Sequence, residues 1–210
     1  MLPKNEFSSE TIELLRSYND FDFGSDPAPL NPDELDTRIN WLPMSMAPPW
    51  PSENELYGYE QTPVRLILQM IRHAAFSSVD VFWDIGSGMG TVTALVELLS
   101  DAKPKGVEIN SELLECSMGL PLVRSQFVLG DARLIDLSDG TVFFLSTPLR
   151  GEASSTMLSR IHAIGHPLRI YGYGEINFEL DRQAWLECIL PEGPVWEFRL
   201  AGFKNRIGPL

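Results

Sequence analysis

Two kinds of apolar pattern alternate along the chain from residue 62 onward. Thr62-Pro63 reads as a cap followed by a first-turn proline, and Val64, Ile67, Leu68, Ile71 and Ala75 then recur at helical spacing on one face. Val79-Asp80-Val81-Phe82-Trp83 is a short, mostly apolar run that reads as a buried strand. A glycine-rich turn follows, then a helix through Thr93–Leu99. The alternation continues with a strand at Lys105–Glu108 and a helix over Glu112–Met118 that Asn110 and Ser111 can cap. Strands are predicted at Gln126–Leu129, Thr141–Leu145 and Leu168–Tyr171, with a helix over Ala153–Ile164. Strands that alternate with helices predict parallel βαβ units and a three-layer α/β sheet. The end departs from this rhythm. Trp185–Leu190 and Val195–Leu200 read as two strands joined by a tight turn at Pro191–Pro194, which places one antiparallel strand in the sheet.

The first 56 residues have a different texture. Short helical signals start at Ser9 and at Asn31-Pro32-Asp33-Glu34, and the segment ends in a breaker-rich stretch holding Pro43, Pro48, Pro49 and Pro51. Its apolar residues are too few for an independent core, so residues 1–56 are expected to be an extension packed on a body of residues 57–210, over the carboxyl ends of the strands.

Charge sharpens that division. The 210 residues carry a formal net charge of −13, of which −9 falls in residues 1–60. Such a field repels phosphate backbones and anionic membranes and favours a basic protein or a cationic small molecule, so nucleic acid is not expected as a partner. No stretch approaches the roughly 18 apolar residues of a membrane span. No apolar run follows Lys4, so no secretory signal is expected and the reading is cytoplasmic. Cys116 and Cys188 lie in apolar surroundings without a Cys-x-x-Cys partner, and His73, His162 and His166 form no ligand pattern with them. No metal site is expected.

The candidate chemistry lies in Asp84-Ile85-Gly86-Ser87-Gly88-Met89-Gly90, between a strand and a helix. Glycines there let the chain turn sharply and let a ligand approach the backbone. Glu108 ends the next strand, 18 residues after Gly90, where a carboxylate can accept the two hydroxyl hydrogens of a ribose. A dinucleotide fingerprint needs Gly-x-Gly-x-x-Gly, but here the third glycine comes one residue early. Asp84 would also repel a pyrophosphate and suits an ammonium group instead.

These residues resemble the class I S-adenosylmethionine-dependent methyltransferases. Asp84, Gly86, Ser87, Gly88 and Gly90 look like the family's first motif, and Glu108 like its ribose-binding acid. Gly130-Asp131-Ala132 looks like the motif after the third strand, whose acid meets the adenine amino group. Phe143–Pro148 stands where the family places the methyl acceptor, with Ser146, Thr147 and Pro148 as candidate acceptor-site residues. The resemblance covers about residues 57–201. It implies S-adenosyl-L-methionine as cofactor, a methyl acceptor of unspecified identity, and a Rossmann-like sheet of about seven strands, mostly parallel with one antiparallel strand. Tyr57-Gly58-Tyr59-Glu60-Gln61-Thr62-Pro63 is similar to the loop before the core helix in Dot1-type histone lysine methyltransferases, which implies Thr62 near the methionine carboxylate. The sequence departs from amino-directed enzymes that carry Asn or Asp, two prolines and an aromatic after the fourth strand: here the run is Ser146-Thr147-Pro148-Leu149. No residue stands out as a general base, which points to catalysis by proximity. Trp41, Trp50, Tyr57 and Tyr59 are candidates for an aromatic wall on the substrate side or for ordinary packing. Two alternatives remain, a protein that binds the cofactor without transferring its methyl group and an NAD-dependent enzyme.

Overall fold

The computed structural model describes residues 12, 13, 17, 59–118, 120, 122–146, 149–190 and 200–206. The expected packing of the 1–56 extension, the tight turn at Pro191–Pro194, and Thr147 and Pro148 all lie outside these residues.

Twelve elements follow in order: α1 (Val64–Ala74), β1 (Val81–Ile85), α2 (Thr91–Leu99), β2 (Lys103–Glu108), α3 (Ser111–Met118), β3 (Gln126–Leu129), β4 (Val142–Ser146), α4 (Gly151–His162), β5 (Arg169–Tyr173), α5 (Ile176–Asp181), β6 (Leu186–Leu190) and β7 (Leu200–Asn205). The strands form one seven-stranded sheet in the order β3-β2-β1-β4-β5-β7-β6. Strands β1 to β5 run parallel, and β7 lies antiparallel between β5 and β6. The α/β sheet expected from the alternation is therefore present, with its antiparallel strand at the carboxyl-terminal end.

Strand alternation sorts the aromatic residues onto the two faces. Phe82, Phe144 and Tyr171 pack with Val64, Ile67, Leu68 and Ile71 of α1 and with Leu95 and Val96 of α2. Trp83, Phe143, Leu145 and Ile170 turn to the other face, against Met157, Leu158 and Ile161 of α4 and Leu180 of α5. Burial of such side chains contributes about 1.5–3 kcal/mol each, and this two-sided core sets the plane from which the site projects. Asn110 does cap α3, its Oδ1 accepting from the Glu112 N–H at 2.9 Å.

One strand differs from its expected place. The last strand, β7, runs on to Asn205, past its expected end at Leu200, while residues 195–199 lie outside the described residues. Gly202 pairs with Tyr171, and a Cβ at Gly202 would stand 2.9 Å from the Tyr171 ring. Gly202 thus makes room for the largest fully buried side chain of the core.

A reciprocal clamp braces the end of the sheet away from the glycine turn. Glu97 of α2 accepts hydrogen bonds from the backbone N–H groups of Val123, Arg124 and Ser125. Arg124 reaches back to the carbonyls of Glu97, Ser100 and Ala102. Burial alone would push the Glu97 carboxyl up, but these bonds and that from the Ser125 hydroxyl hold it below the ordinary carboxylate range.

Candidate cofactor site

The sheet order reverses at β1: β2 and β3 lie on one side of it and β4 and β5 on the other. In open α/β sheets the crevice for a ligand opens at that switch, outside the carboxyl ends of the strands. The glycine turn after β1, Glu108 at the end of β2 and Ser146 at the end of β4 all stand there.

The turn is tight. The N–H groups of Gly86 and Ser87 both donate to the Val107 carbonyl at 2.9 Å, and that of Gly90 to the Ser87 carbonyl at 2.8 Å. Gly88 and Gly90 adopt φ of 54° and 81°, left-handed conformations that side chains disfavour. Their open faces are filled by protein. A Cβ at Gly88 would lie 2.4 Å from the Tyr59 ring, and one at Gly90 2.7 Å from the Ser117 Cβ and 2.9 Å from the Phe127 ring. Gly90 thus permits close packing of the turn on α3 and β3. Ser87 packs over Gly106 of β2, and its buried hydroxyl meets no partner.

Two carboxylates anchor this turn. Asp84 is 2% exposed and accepts from the Thr93 hydroxyl at 2.9 Å, at the first turn of α2. Burial, with Glu108 nearby and against the Thr93 bonds, raises its pKa from 3.8 to about 7. Glu108, 7% exposed, accepts the Gly88 N–H at 2.8 Å on one oxygen and the Asn110 N–H at 2.8 Å on the other. Each Glu108 oxygen keeps a lone pair for a further donor. Among the described residues no cationic side chain pairs with either acid.

Asp131 stands after β3 but is already engaged. Arg133 binds its carboxylate through Nε at 3.0 Å to each oxygen and through a terminal nitrogen at 2.7 Å. That guanidinium holds the Asp131 carboxyl below its ordinary range. Arg160 of α4 donates to the carbonyls of Ala132 and Ile135, which fixes the turn that carries Asp131.

A strap closes the opposite side. Tyr59 lies over Gly88 and packs with Met89, Leu113 and Cys116. Burial pushes its phenol well above the usual tyrosine range, so it is a neutral donor at all working pH values. Thr62 donates to the Ser146 hydroxyl at 3.1 Å, tying the strap to β4. Thr62 and Ser146, read from the sequence as cofactor and acceptor residues, therefore meet. Sequence reasoning missed the roles of Thr93 and Arg133. The Asp131-x-Arg133 spacing is an available signal for the ion pair, whereas the Thr93 bond depends on tertiary placement.

No group of three or more His, Cys, Asp or Glu among the described residues could hold a metal ion. No helix among them is long and apolar enough to cross a membrane.

No family model and no curated protein sequence matches the chain. Solved structures do. An RNA methyltransferase from Salinibacter ruber, solved with S-adenosyl-L-homocysteine, superposes with a TM-score of 0.58 at 17% identity, over 72% of this chain and 97% of that one. A protein from Pyrococcus horikoshii described as a candidate RNA methyltransferase gives 0.54 at 15% identity, over 72% and 89%. A TehB-like SAM-dependent methyltransferase from Corynebacterium glutamicum gives 0.50 at 18% identity, over 68% and 86%. The fold is that of the class I methyltransferases. In it, the glycine turn, Glu108 and Asp131 occupy the carboxyl ends of three successive strands, β1, β2 and β3.

Proposed function

We propose that this chain binds S-adenosyl-L-methionine and transfers its methyl group to an acceptor presented at the end of β4. The observation that carries the reading is the pair of buried acids, Asp84 and Glu108, beside the glycine turn with no cationic partner among the described residues. Buried carboxylates without a counter-charge are costly, so the missing cation is supplied by a ligand. Asp84 would take an ammonium group and Glu108 the ribose hydroxyls, while Asp131, oriented by Arg133, would meet the adenine amino group. A sulfonium cofactor with an amino-acid tail offers these groups together.

When bound, the cofactor supplies an electrophilic methyl group on a sulfonium that departs as a neutral thioether. No oxyanion needs stabilising, so the chain's own residues act by positioning the acceptor and excluding water. The strap of residues 59–62 shields the crevice, and Ser146, with Thr147 and Pro148 next to it in sequence, borders the acceptor's approach. A non-catalytic binder is the second reading. It is favoured by the Ser146 hydroxyl, which already accepts from Thr62.

The acceptor reading rests on charge. A net charge of −13 favours a cationic small molecule or a lysine-bearing protein. Two of the similar structures are described as acting on RNA, one of them as a candidate, and none of the three as acting on lysine. Isothermal titration with S-adenosyl-L-methionine, S-adenosyl-L-homocysteine and NAD tests the cofactor. Binding of NAD alone would overturn the assignment. Methyl transfer to a panel of basic peptides, polyamines and RNA then separates enzyme from binder. Preferential methylation of RNA would refute the electrostatic argument and leave the cofactor site standing.

A further inference from the structure

We propose that the open edge of β3 is a docking site for an extended segment of a partner protein, one in which apolar residues alternate with lysine or arginine and which joins the sheet as a further strand. The proposal stands apart from the cofactor reading.

Strand β3 ends the sheet, and among the described residues no strand pairs with its outer side. The Gly130 N–H goes to the Glu108 carbonyl, so by the alternation of a parallel ladder Phe127 and Leu129 turn their backbone N–H and C=O groups outward. Proteins guard such an edge with charges, prolines or bulges. The opposite edge strand, β6, has Glu187 facing Lys204 and a register shift between Cys188 and Leu190. Gln126-Phe127-Val128-Leu129 holds neither charge nor proline, and its register with β2 is unbroken.

Apolar side chains gather around this edge. Of the seven large hydrophobic residues exposed among the described ones, four fall in this one stretch: Met118 and Val123 before β3, Leu129 at its end and Leu134 in the turn after it. Val123 is 90% exposed and also lines an open cavity of about 790 Å³, together with Ile71, Phe76 and Leu99. A strand of four residues offers few backbone bonds, so a partner needs side-chain anchors as well. These apolar residues and the cavity supply them.

The surrounding charge selects the occupant. Glu112 and Glu115 are exposed on α3, which packs on β3, and Asp101 is exposed at the cavity. Of the nearby cations, Arg124 is held by three carbonyls and Arg133 by Asp131. Lys103 is exposed at the start of β2 and leaves the surroundings net acidic. A second copy of the chain would bring the same acids and a further charge of −13 against them. RNA would set its phosphates against them and has no peptide backbone to pair with β3. An extended basic segment with apolar side chains satisfies the backbone row, the apolar anchors and the acids together.

The test selects short random peptides, displayed on phage, for binding to the full chain. It should recover sequences in which apolar residues alternate with lysine or arginine. As synthetic peptides these should slow amide exchange at Phe127 and Leu129, and they should lose binding when their own backbone amides are methylated. The double variant Met118→Lys, Val123→Lys puts two like charges beside the edge and should bind them about tenfold or more weakly. Both substitutions fall at exposed positions, so the variant should melt at the temperature of the parent. Recovery of no such peptides, equal binding by the double variant, or unprotected amides at Phe127 and Leu129 would overturn the inference. So would a parent dimer that the double variant dissociates, which would make a second copy the occupant, or displacement of the peptides by an RNA oligonucleotide.

Discussion

Replacing Asp84 by Asn separates the acid's cost to the free protein from its use to the ligand. Asp84 is almost fully buried, and its folded pKa of about 7 lies above the ordinary 3.8. The folded chain therefore holds a proton that the unfolded chain releases. Stability from this group is complete below the unfolded value, and it is lost as pH rises from there through about 7. Asn has the same shape, stays neutral and can still accept from the Thr93 hydroxyl. With 1.36 kcal/mol for each pH unit of difference, its advantage to the ligand-free protein is at most about 4 kcal/mol at pH 8 and about 2 kcal/mol at pH 5. Urea unfolding of both proteins at the two pH values measures this directly. Binding should respond in the opposite sense. An ammonium ligand needs Asp84 ionised, so the parent's affinity for S-adenosyl-L-homocysteine should fall up to tenfold per pH unit below about 7 and level off above it. Asp84→Asn should bind at least about tenfold more weakly at pH 8 and lose that slope. A stability difference of the same size at both pH values, or undiminished binding by the Asn variant, would refute the reasoning.

Three further outcomes follow from the packing. Gly90→Ala places a Cβ against Ser117 and Phe127 at φ 81° and should cost about 2–4 kcal/mol in urea unfolding; a neutral change would mean that the turn can relax. Arg133→Ala frees Asp131 from its guanidinium and should weaken S-adenosyl-L-homocysteine binding by up to about fivefold, the scale of a partly exposed ion pair; in the Asp131→Asn background the same change should add nothing, which a double-mutant titration checks. Arg124→Met removes the donor to three carbonyls and should lower stability by about 2–4 kcal/mol, read from the urea midpoint, while the folded variant keeps its ligand affinity.

Much of the sheet was legible because short apolar runs such as Val81–Trp83 and Val142–Leu145 are separated by helical periods. The run Val81-Phe82-Trp83, short and followed at once by the glycine turn, fits a strand, and the spacing of Val64, Ile67, Leu68 and Ile71 fits one face of a helix. The last strand runs past its expected end because Gly202 makes room for Tyr171 behind it, which spacing alone does not show. In the crevice, Asp84 and Glu108 could be read because strand, turn and helix follow each other at short range. The fate of Asp131 could not, since spacing alone does not show that Arg133 folds back on it. The strap was least legible. The positions of Tyr59 and Gln61 depend on a contact between Thr62 and a strand far along the chain, which no local pattern records.

The pairing of β1 with β4 also has a kinetic side. The register partners Phe82 and Val142 are separated in the chain by two complete βα units, so the crevice cannot exist until a long loop has closed. During synthesis the acids of β1 and β2 emerge before the strand that forms their other wall, and β1 presents an unpaired edge until then. A ligand that requires both walls can engage only after that closure. It would then slow unfolding chiefly through contacts absent from the early folding nucleus. The cofactor on this reading acts as a latch on the last step of assembly, and its concentration in the cell would set how long a finished molecule stays closed.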